Sequence, residues 1–399
     1  MNLVVALEHH FHRTSDGAVW TQALFPYSYW TRYLAVFEHV RVTARVREVS
    51  SVPSDWVRAD GKGVSLAGVP DYLGPRQYLL RAWQVQAAVN NSVNPNHAVI
   101  LYLHGQIAWC VESVLRRSKH PYGAYIIADP YEAFTPGAIR HSLRPFFRWW
   151  FTQQLRRQCV NACAVAYVTE HALQRRYPPS LGAFSTYFAM GDMPDEAFVP
   201  FPRPSRKGTN TTILTMVGSL AHLYKGPDVA MDAVAECLRE GLDLRLVLIG
   251  DGKLRAELEA RAASLGLKDR ICFLGQLTAG VAVRAQLDDS DLYIMPSRTE
   301  GLPRAMIEAM ARGLPCIGST VGGIPELLLP EDMVPPGDAT ALARKIREVV
   351  TDPARMVRMA ARNLEKAKQY RDEAVRDQRI AFYRYVREKT EAWLRSQRA

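Results

Sequence analysis

Short apolar runs alternate with amphipathic stretches throughout the second half of the chain, from Thr211 onward. The apolar runs read ILTMV, LRLVLIG, ICFLG, DLYIMP and PCIGS. Strands that alternate in this way with helical stretches of about ten to fifteen residues form parallel sheets covered on both faces. Proline and glycine fit this pattern, since Pro227 stands at a helix start and Gly241 and Gly266 stand where helices should end. The alternation predicts a doubly wound parallel sheet over residues 211–375.

The first half of the chain carries a weaker version of the same pattern. Buried strands are predicted for NLVVAL, HAVILYLH, AYIIAD and AVAYVT, and helices near residues 17–38, 106–118, 140–158 and 170–176. A proline-rich stretch without helical periodicity predicts an interdomain linker over 191–210. We therefore predict a first domain over 1–190, a second over 211–375, and a C-terminal helix over 376–399 that packs back on the first domain.

Length, charge and cysteine content narrow the class of protein. A chain of 399 residues is long enough for two domains. Its net charge of +10 favours anionic partners, namely nucleotide phosphates, nucleic acid or acidic lipid. The six cysteines lack zinc-site spacing and are typical of reduced thiols in a cytosolic protein. No apolar run is long enough for a membrane span, so a cytoplasmic or peripheral protein is predicted.

The segment that indicates chemistry most clearly is SRTEGLPRAMIEAMARGLPCIGSTVGGIPEL, residues 297–327. Glu300 lies in the loop after the strand DLYIMP, and Pro303 then opens a helix. Free amides at this helix start favour a phosphate. They belong to Gly301, Leu302 and Arg304. Glu308, further along the helix, can accept two hydrogen bonds from a vicinal diol such as ribose, and Glu300 can reach a sugar hydroxyl.

An alternative is that both glutamates are ordinary charges flanking a helix, and a glutamate pair at this spacing, taken alone, favours that alternative. The surrounding residues favour the functional interpretation. A glycine follows Glu300, small residues line the helix, and a second glycine turn, Gly322-Gly323, follows the next strand.

A second loop combines glycine with a cation. The strand ILTMV is followed by Gly218 and Ser219, and Lys225 comes six residues later. A lysine at a phosphate site screens the charge that builds on a leaving diphosphate. The alternative is a solvated lysine in a turn, and the position of Lys225 favours the functional interpretation.

The Glu-x7-Glu element, followed by GxPxI and GGxPEL, resembles the retaining glycosyltransferases of family 4. The resemblance covers at least residues 211–375 and implies the GT-B fold, in which two Rossmann-like domains face each other across a cleft. It implies that Glu300 contacts the donor sugar and Glu308 the ribose. Lys225 matches the lysine of the family pattern G-R-L followed by K-G, whereas Ser219 stands in place of its arginine. His222 or a distant arginine is expected to compensate.

The resemblance also assigns weaker sites. It places the Gly250 loop beside the nucleotide and the loop carrying Leu277 against the base. In the first domain it implies a glycine against the diphosphate, for which Gly17 is the candidate. His104 and Asp129 both end strands on the cleft side, and the family often has a histidine where Asp129 stands. For each of these two residues the alternative is a helix cap.

Residues 140–157, RHSLRPFFRWWFTQQLRR, combine aromatic and arginine side chains. This composition suits an amphipathic helix at a membrane interface. It equally suits a helix whose aromatics pack on the sheet. No recognised nucleic-acid-binding motif accompanies it, so nucleic acid is not predicted as a partner.

These features predict a metal-independent, hexosyltransferase-like enzyme without cofactor, located in the cytoplasm or at the inner face of the membrane. Its donor would be a UDP- or GDP-type sugar and its acceptor a saccharide or a lipid-linked molecule, in polysaccharide, glycolipid or other glycoconjugate biosynthesis. A sugar-nucleotide epimerase on the same fold is one alternative. A non-catalytic partner of an active transferase is the other.

Overall fold

A computed structural model of the chain describes residues 1–22, 24–103, 105–135, 141–191, 193–202 and 211–398. Contacts between Cα atoms group the chain into two compact units. The first unit consists of Met1–Ala128, Phe151–Met190 and Arg376–Ala399, and the second of Asp129–Trp150 and Gly191–Val375. The predicted linker lies partly outside the described residues, at Asp192 and 203–210. The predicted domain boundaries stay a prediction.

The first unit is built on a nine-stranded sheet. Its strands are β1 Leu3–Arg13, β2 Val19–Thr21, β3 Val40–Glu48, β4 Val57–Arg58, β5 Val64–Pro70, β6 Ala98–Leu103, β7 Gly123–Ile126, β8 Ala164–Tyr167 and β9 Phe184–Tyr187. The parallel part has the order β5-β3-β1-β6-β7-β8-β9. Strands β6, β7 and β8 are buried throughout, as expected for parallel strands covered on both faces.

Strand β1 is longer than its parallel neighbours because it continues into a hairpin. Its register against β3 shifts between Ala6 and His10, and its last residues pair antiparallel with β2. The turn of this hairpin contains Gly17, whose φ of +84° lies in the left-handed region. The hairpin replaces part of the helix that the sequence predicted near 17–38. The prediction of a single helix was wrong, because the apolar residues of this segment form a strand and two short helical turns.

Among the residues that the structure describes, six α-helices belong to the first half of the chain. They are α1 Tyr27–Thr31, α2 Gly74–Ser92, α3 Gln106–Ser118, α4 Pro130–Ala133, α5 Arg144–Asn161 and α6 Ala172–Arg176. The residues of α4 and the first turns of α5 belong to the second unit. Helix α3 buries Ile107, Val111 and Leu115 at helical spacing.

The second unit contains a six-stranded parallel sheet with the order β12-β11-β10-β13-β14-β15. The strands are β10 Thr212–Val217, β11 Leu244–Ile249, β12 Ile271–Gly275, β13 Leu292–Met295, β14 Cys316–Ser319 and β15 Met333–Val334. The five predicted strands in this half are confirmed. The strand order reverses between β10 and β13, and open α/β sheets bind ligands beyond the carboxyl ends of the strands at such a switch point.

Helices surround this second sheet. They are α7 Pro227–Arg239, α8 Arg255–Ser264, α9 Val281–Asp288, α10 Arg304–Ala311, α11 Ala339–Val350 and α12 Pro353–Lys368. The core joins β10, β11 and β13 to α7 and α11 through buried aliphatic side chains such as Leu246, Val234 and Ile346.

The last helix, α13, spans Asp372–Arg398 and belongs to the first unit from Arg376 onward. There Tyr383 packs against Tyr33 with ring centroids 4.5 Å apart. Phe382 and Val386 approach the backbone of Gly123 so closely that a Cβ at that position would lie 2.6 Å from Val386. All six cysteines are free thiols, four of them buried.

Candidate functional site

The centre of the candidate site is an ion pair between the loops that follow β10 and β13. Lys225 Nζ lies 2.6 Å from Glu300 Oε1, and Ser297 Oγ donates to the same oxygen at 2.7 Å. Both charged side chains are buried, with 14% of Lys225 and 6% of Glu300 exposed. Burial acts to lower the pKa of Lys225, but the negative charge of Glu300 and its hydrogen bond with the ammonium group outweigh burial, so this pKa lies above its ordinary value. Lys225 therefore keeps its positive charge.

Backbone geometry fixes the turn that carries Lys225. The turn is a 3₁₀ helix, Leu223–Lys225, and Gly226 ends it at a φ of +74°. A Cβ on Gly226 would lie 2.2 Å from the carbonyl oxygen of Pro296, so only glycine allows the two loops to approach.

Arg298 holds the same two loops together through side-chain contacts. Its guanidinium forms a bidentate pair with Asp228 at 2.8 and 2.7 Å and donates to the carbonyl oxygen of Leu223 at 2.7 Å. Bidentate pairs of this kind fix orientation as well as position. Lys225 is thus held from one side by its turn and from the other by the loop that carries Glu300.

The glycine turn after β14 packs against the Glu300 loop. The amide of Gly323 donates to the carbonyl oxygen of Gly301 at 2.7 Å. A Cβ on Gly322, whose φ is +53°, would lie 2.1 Å from the carbonyl oxygen of Glu300. The Gly322-Gly323 turn therefore fixes the backbone of the Glu300 loop, and the close approach is a structural reason for the glycine at position 322.

Glu132 is a member of the site that the sequence interpretation missed. It lies in α4, which belongs to the second unit. Its Oε1 accepts a hydrogen bond from the amide of Gly322 at 3.3 Å, and its carboxylate accepts a second from the backbone of Glu300. Burial raises the pKa of Glu132 above its ordinary value, while these two hydrogen bonds oppose the change. Glu132 thus joins the Glu300 loop to the glycine turn.

The sequence contains one local signal at Glu132. Asp129 followed three residues later by Glu is the spacing of a capping box, which marks a helix start. The structure confirms the helix start, since Asp129 Oδ1 accepts from the amide of Tyr131 at 2.9 Å. Nothing in the spacing indicates that Glu132 contacts loops nearly half the chain away.

Glu308 lies on α10, one helical turn beyond its start. Pro303 is the N-cap residue and α10 begins at Arg304, so Gly301, Leu302 and Pro303 form the approach to this helix. Glu308 Oε1 lies 3.8 Å from Arg284. Burial raises the pKa of Glu308, and the positive charges of Arg304 and Arg284 oppose this.

The remaining candidates of the second unit lie beyond the ends of β10, β11 and β12. Gly218 and Ser219 follow β10, and Ser219 is exposed, with its Oγ accepting from the amide of Ala221 at 3.2 Å. The amide of Gly250 donates to the carbonyl oxygen of Gly275 at 2.8 Å. Leu277 follows β12 and is half-buried. These residues share one end of the sheet with Lys225 and Glu300.

The candidates predicted from the first half of the chain have local explanations. Gly17 is exposed in the β1–β2 hairpin turn, and its positive φ accounts for a glycine there. Asp129 is buried and caps α4. His104 lies outside the described residues. A contact of Gly17, Asp129 or His104 with a substrate stays a prediction.

Comparison with known proteins gives one family-model match, in the part of the chain that carries the site. Residues 200–369 match the family described as glycosyl transferases group 1. The chain is 23% identical to protein CapJ of Staphylococcus aureus over 88% of this chain and 83% of that protein. It is 37% identical to the 2-deoxystreptamine glucosyltransferase of Streptomyces kanamyceticus, but over only 36% of this chain and 37% of that enzyme.

Solved structures resemble the whole chain at low identity. Sucrose-phosphate synthase from Thermosynechococcus elongatus has a TM-score of 0.68 at 19% identity and covers 96% of this chain and 98% of its own. HepE from Anabaena, solved with UDP and glucose, has a TM-score of 0.67 at 16% identity, covering 95% and 98%. The two parallel-sheet α/β domains have the GT-B fold. Together with the match over residues 200–369, this fold supports a glycosyltransferase family for the chain.

Proposed function

We propose that this chain is a retaining glycosyltransferase that moves a sugar from a nucleoside diphosphate to an acceptor hydroxyl. The observation that carries the proposal is the Lys225–Glu300 pair, which joins two loops at the switch point of the second sheet. The solved complexes of HepE with UDP and with UDP-glucose support a donor of the UDP type, and a GDP-mannose-dependent relative from Corynebacterium glutamicum supports the GDP type. The names of the relatives support an acceptor in polysaccharide or glycoconjugate biosynthesis.

In this proposal the donor binds across the ends of β10–β13. Glu308 accepts hydrogen bonds from the ribose diol, and the loops of Gly250 and Leu277 face the base. Gly218, Ser219 and Lys225 border the diphosphate together with the backbone of Gly301, Leu302 and Pro303, where the start of α10 favours negative charge. Because Lys225 and Ser297 both bind Oε1 of Glu300, its Oε2 is the atom offered to a sugar hydroxyl.

The transfer breaks the bond between the anomeric carbon and the diphosphate oxygen, and its electron pair leaves with the phosphate. The acceptor oxygen bonds to the anomeric carbon on the same face, and its proton passes to the departing phosphate oxygen. Lys225 stabilises the charge that develops on that phosphate, which is the largest single contribution in many enzymes. Asp129, His104 and Gly17 are proposed to border the sugar and diphosphate from the first half of the chain.

A thermal-shift screen with UDP, GDP, dTDP and CDP tests the proposal and identifies the base. A ligand present at about 100 times its dissociation constant stabilises the folded state by about 2.7 kcal/mol. We expect one of these nucleotides, and its sugar conjugate, to raise the melting temperature. If none of them binds, as expected for a non-catalytic partner, the proposed function is wrong.

Replacing Glu308 with alanine is expected to weaken nucleotide binding by about tenfold, because hydrogen bonds to a charged group contribute roughly 1.5–3 kcal/mol. Since burial raises the pKa of Glu308, its carboxylate is protonated at higher pH than an ordinary glutamate. Affinity should therefore fall on acidification in the wild type and depend less on pH in Glu308→Gln. Calorimetric titration with the nucleoside diphosphate measures both effects, and equal affinity in all three proteins would contradict the ribose assignment.

Transfer is proposed to need no metal ion, because Lys225 and the backbone at the start of α10 supply the positive field at the diphosphate. We expect unchanged rates after treatment with EDTA. The measurement compares initial rates before treatment, after treatment, and after adding back magnesium or manganese. A loss that either metal restores would show that the diphosphate is neutralised by an ion.

Helix α5 exposes the aromatic side chains on which the membrane prediction depends. Phe146, Trp149 and Trp150 are each 47–57% exposed, as is Leu143 directly before the helix, and Phe146 stacks on Trp150 with ring centroids 6.0 Å apart. These exposures support a surface role for the three aromatic side chains over the alternative in which they form core, while Phe147 is half-buried beside Phe134. Among the helices that the structure describes, none has the length and apolar character to cross a membrane. We propose that α5 contacts an anionic membrane at its surface.

The triple variant Phe146→Ser/Trp149→Ser/Trp150→Ser is expected to lose binding to phosphatidylglycerol-containing vesicles, because large apolar side chains supply most of the interfacial binding energy. Phe147 is left in place since it packs inside the unit. Flotation at low salt measures binding, and circular dichroism checks the fold. Equal flotation of wild type and variant would assign these aromatics to another role.

A further inference from the structure

Helix α9 brings an arginine beside the carboxylate of Glu308. Arg284 lies in the first turn of α9, and its Nη1 is 3.8 Å from Glu308 Oε1, with 15% and 21% of the two side chains exposed. A Cβ on Gly280, the N-cap residue of α9, would lie 3.7 Å from the same Nη1. The helix dipole disfavours a cation so close to the start of a helix. The stability of α9 therefore gives no reason for an arginine at this position, whereas the carboxylate of Glu308 does.

Two other arginines lie near Glu308 but differ from Arg284. Arg312 forms a bidentate pair with Asp288, with both bonds at 2.7 Å. Arg304 is exposed to solvent, so salt screens its charge. Among the residues that the structure describes, the guanidinium of Arg284 donates no hydrogen bond, and Glu308 is its one ion-pair partner. The charge of Arg284 is therefore directed at Glu308 alone.

The surroundings of Glu308 act on its charge in opposite directions. Burial raises the pKa of Glu308 above its ordinary value, and the positive charges of the three arginines, Arg304 foremost, oppose this. A desolvated carboxylate stays ionised only with the help of such neighbouring cations. Of the three, Arg284 supplies a charge that is neither exposed nor shared with another carboxylate. Removing it should therefore let Glu308 take up a proton at higher pH.

Three neighbouring elements carry titratable groups that are neutral or paired. Burial raises the pKa of Tyr293 on β13 and of Cys316 on β14, so both side chains stay uncharged. On α12, which packs against α10, Arg362 is paired with Asp332. In the described part of the chain, the positive field at Glu308 thus comes from the arginines of α9 and α10 and of the residue that follows α10.

We propose that Arg284 is a positioning residue for nucleotide binding, because it keeps Glu308 ionised and thereby selects donors that carry both hydroxyls of a ribose. An ionised carboxylate can accept a hydrogen bond from each hydroxyl, whereas a protonated carboxyl has lost part of this capacity. Hydrogen bonds to the charged form are also roughly twice as strong. The inference rests on the proposed function, in which Glu308 binds the ribose, and it adds that the substrate class is a ribonucleoside diphosphate.

The test replaces Arg284 with glutamine, which removes the charge and keeps much of the length. Calorimetric titration at an acidic pH of about 6 and an alkaline pH of about 8.5 compares UDP with 2′-deoxy-UDP, and GDP with 2′-deoxy-GDP. We expect wild type to prefer one ribonucleotide over its deoxy counterpart at both pH values. Arg284→Gln should bind that ribonucleotide about tenfold more weakly at the acidic pH, with a smaller loss at the alkaline pH, because its Glu308 is protonated over a wider range. Its preference over the deoxy nucleotide should shrink in parallel.

Two controls separate charge from packing. Arg284→Lys keeps the positive charge and should restore most of the affinity and of the preference. Arg261→Ala removes the arginine of α8 that pairs with Asp232 at the surface, and it should bind as wild type does. Thermal unfolding checks the fold of each variant.

A second measurement needs no nucleotide. The NMR signal of the Glu308 carboxyl carbon, identified by its loss in Glu308→Gln, reports the titration of this group directly. Its midpoint should lie at higher pH in Arg284→Gln than in wild type, because the ionised form has lost a neighbouring cation. An unchanged midpoint, an unchanged nucleotide preference in Arg284→Gln, or an Arg284→Lys variant as weak as Arg284→Gln would overturn the role of Arg284. Wild type that binds no nucleotide, while the midpoint shifts as expected, would contradict the proposed function and with it the selection of ribonucleotides.

Discussion

Replacing Lys225 with alanine is expected to lower turnover by about two orders of magnitude or more, as removal of a group that stabilises developing charge does. The family pattern pairs this lysine with an arginine, but here Ser219 occupies that position. Ser219 is exposed and its hydroxyl is engaged with the amide of Ala221. Lys225 therefore has little support from a second cation in its own loop, and its loss should be unusually costly.

The Lys225→Ala variant requires controls, because removing the lysine leaves the buried charge of Glu300 without its partner. Lys225→Arg keeps the charge and should restore only part of the rate, since a guanidinium is broader than an ammonium point charge. Glu300→Gln keeps Lys225 and mainly lowers turnover if Glu300 holds the sugar. Lys345→Ala removes a lysine paired at the surface with Glu348 and should be neutral.

The decisive measurement is made in each variant. It is the difference between the affinity for the nucleoside diphosphate and the affinity for the nucleoside monophosphate. Lys225→Ala should reduce the difference, and Ser219→Arg should keep or increase it, because the exposed position leaves room for the longer side chain. If Lys225→Ala leaves the difference unchanged, the second phosphate is held elsewhere. If Ser219→Arg abolishes binding, another group fills that space, and the neighbouring exposed His222 is the first candidate.

The second unit was predictable from sequence because its determinants are local. Its strands are buried between helices and form short apolar runs in the sequence, and glycine or proline marks many of the boundaries. Lys225 and Glu300 each follow a strand at the switch point, so topology alone brings their loops to one end of the sheet. Their direct 2.6 Å contact was not predicted, since the lysine was assigned to the phosphate and the glutamate to the sugar.

The first unit was less predictable because charges interrupt its apolar pattern. Strand β3, VRVTARVRE, contains arginines, yet Arg45 is buried and pairs with Glu8 at 3.2 Å. Helix α2 has the opposite difficulty, because its leucines and Trp83 are exposed and its buried residues are few. The periodicity of apolar residues indicates which face a sheet or helix buries, so it fails where charges are buried in pairs or where apolar residues are exposed.

Glu132 illustrates a third limit of prediction from sequence, since its contacts depend on tertiary structure alone. Replacing it with alanine is expected to lower turnover by about two orders of magnitude, because a shift of about 1 Å in a positioning element can cost that much. The change removes the acceptor for the amide of Gly322 and for the backbone of Glu300, so the loop that presents Glu300 loses one of its supports. Nucleotide affinity should change far less, because Glu308 and Lys225 remain in place.

Glu132→Gln separates positioning from charge. The glutamine oxygen can still accept from Gly322, so turnover should recover most of the loss if the hydrogen bond positions the loop. Single-turnover rates and nucleotide affinities, measured together, show whether kcat falls while binding is retained, a split that general destabilisation would not produce. Glu331→Ala, which removes a carboxylate 66% exposed in the same unit, is the matched control. Full activity of Glu132→Ala would mean that the Gly322-Gly323 turn holds Glu300 without help from α4, and equal loss in the glutamine variant would point to a role for the negative charge itself.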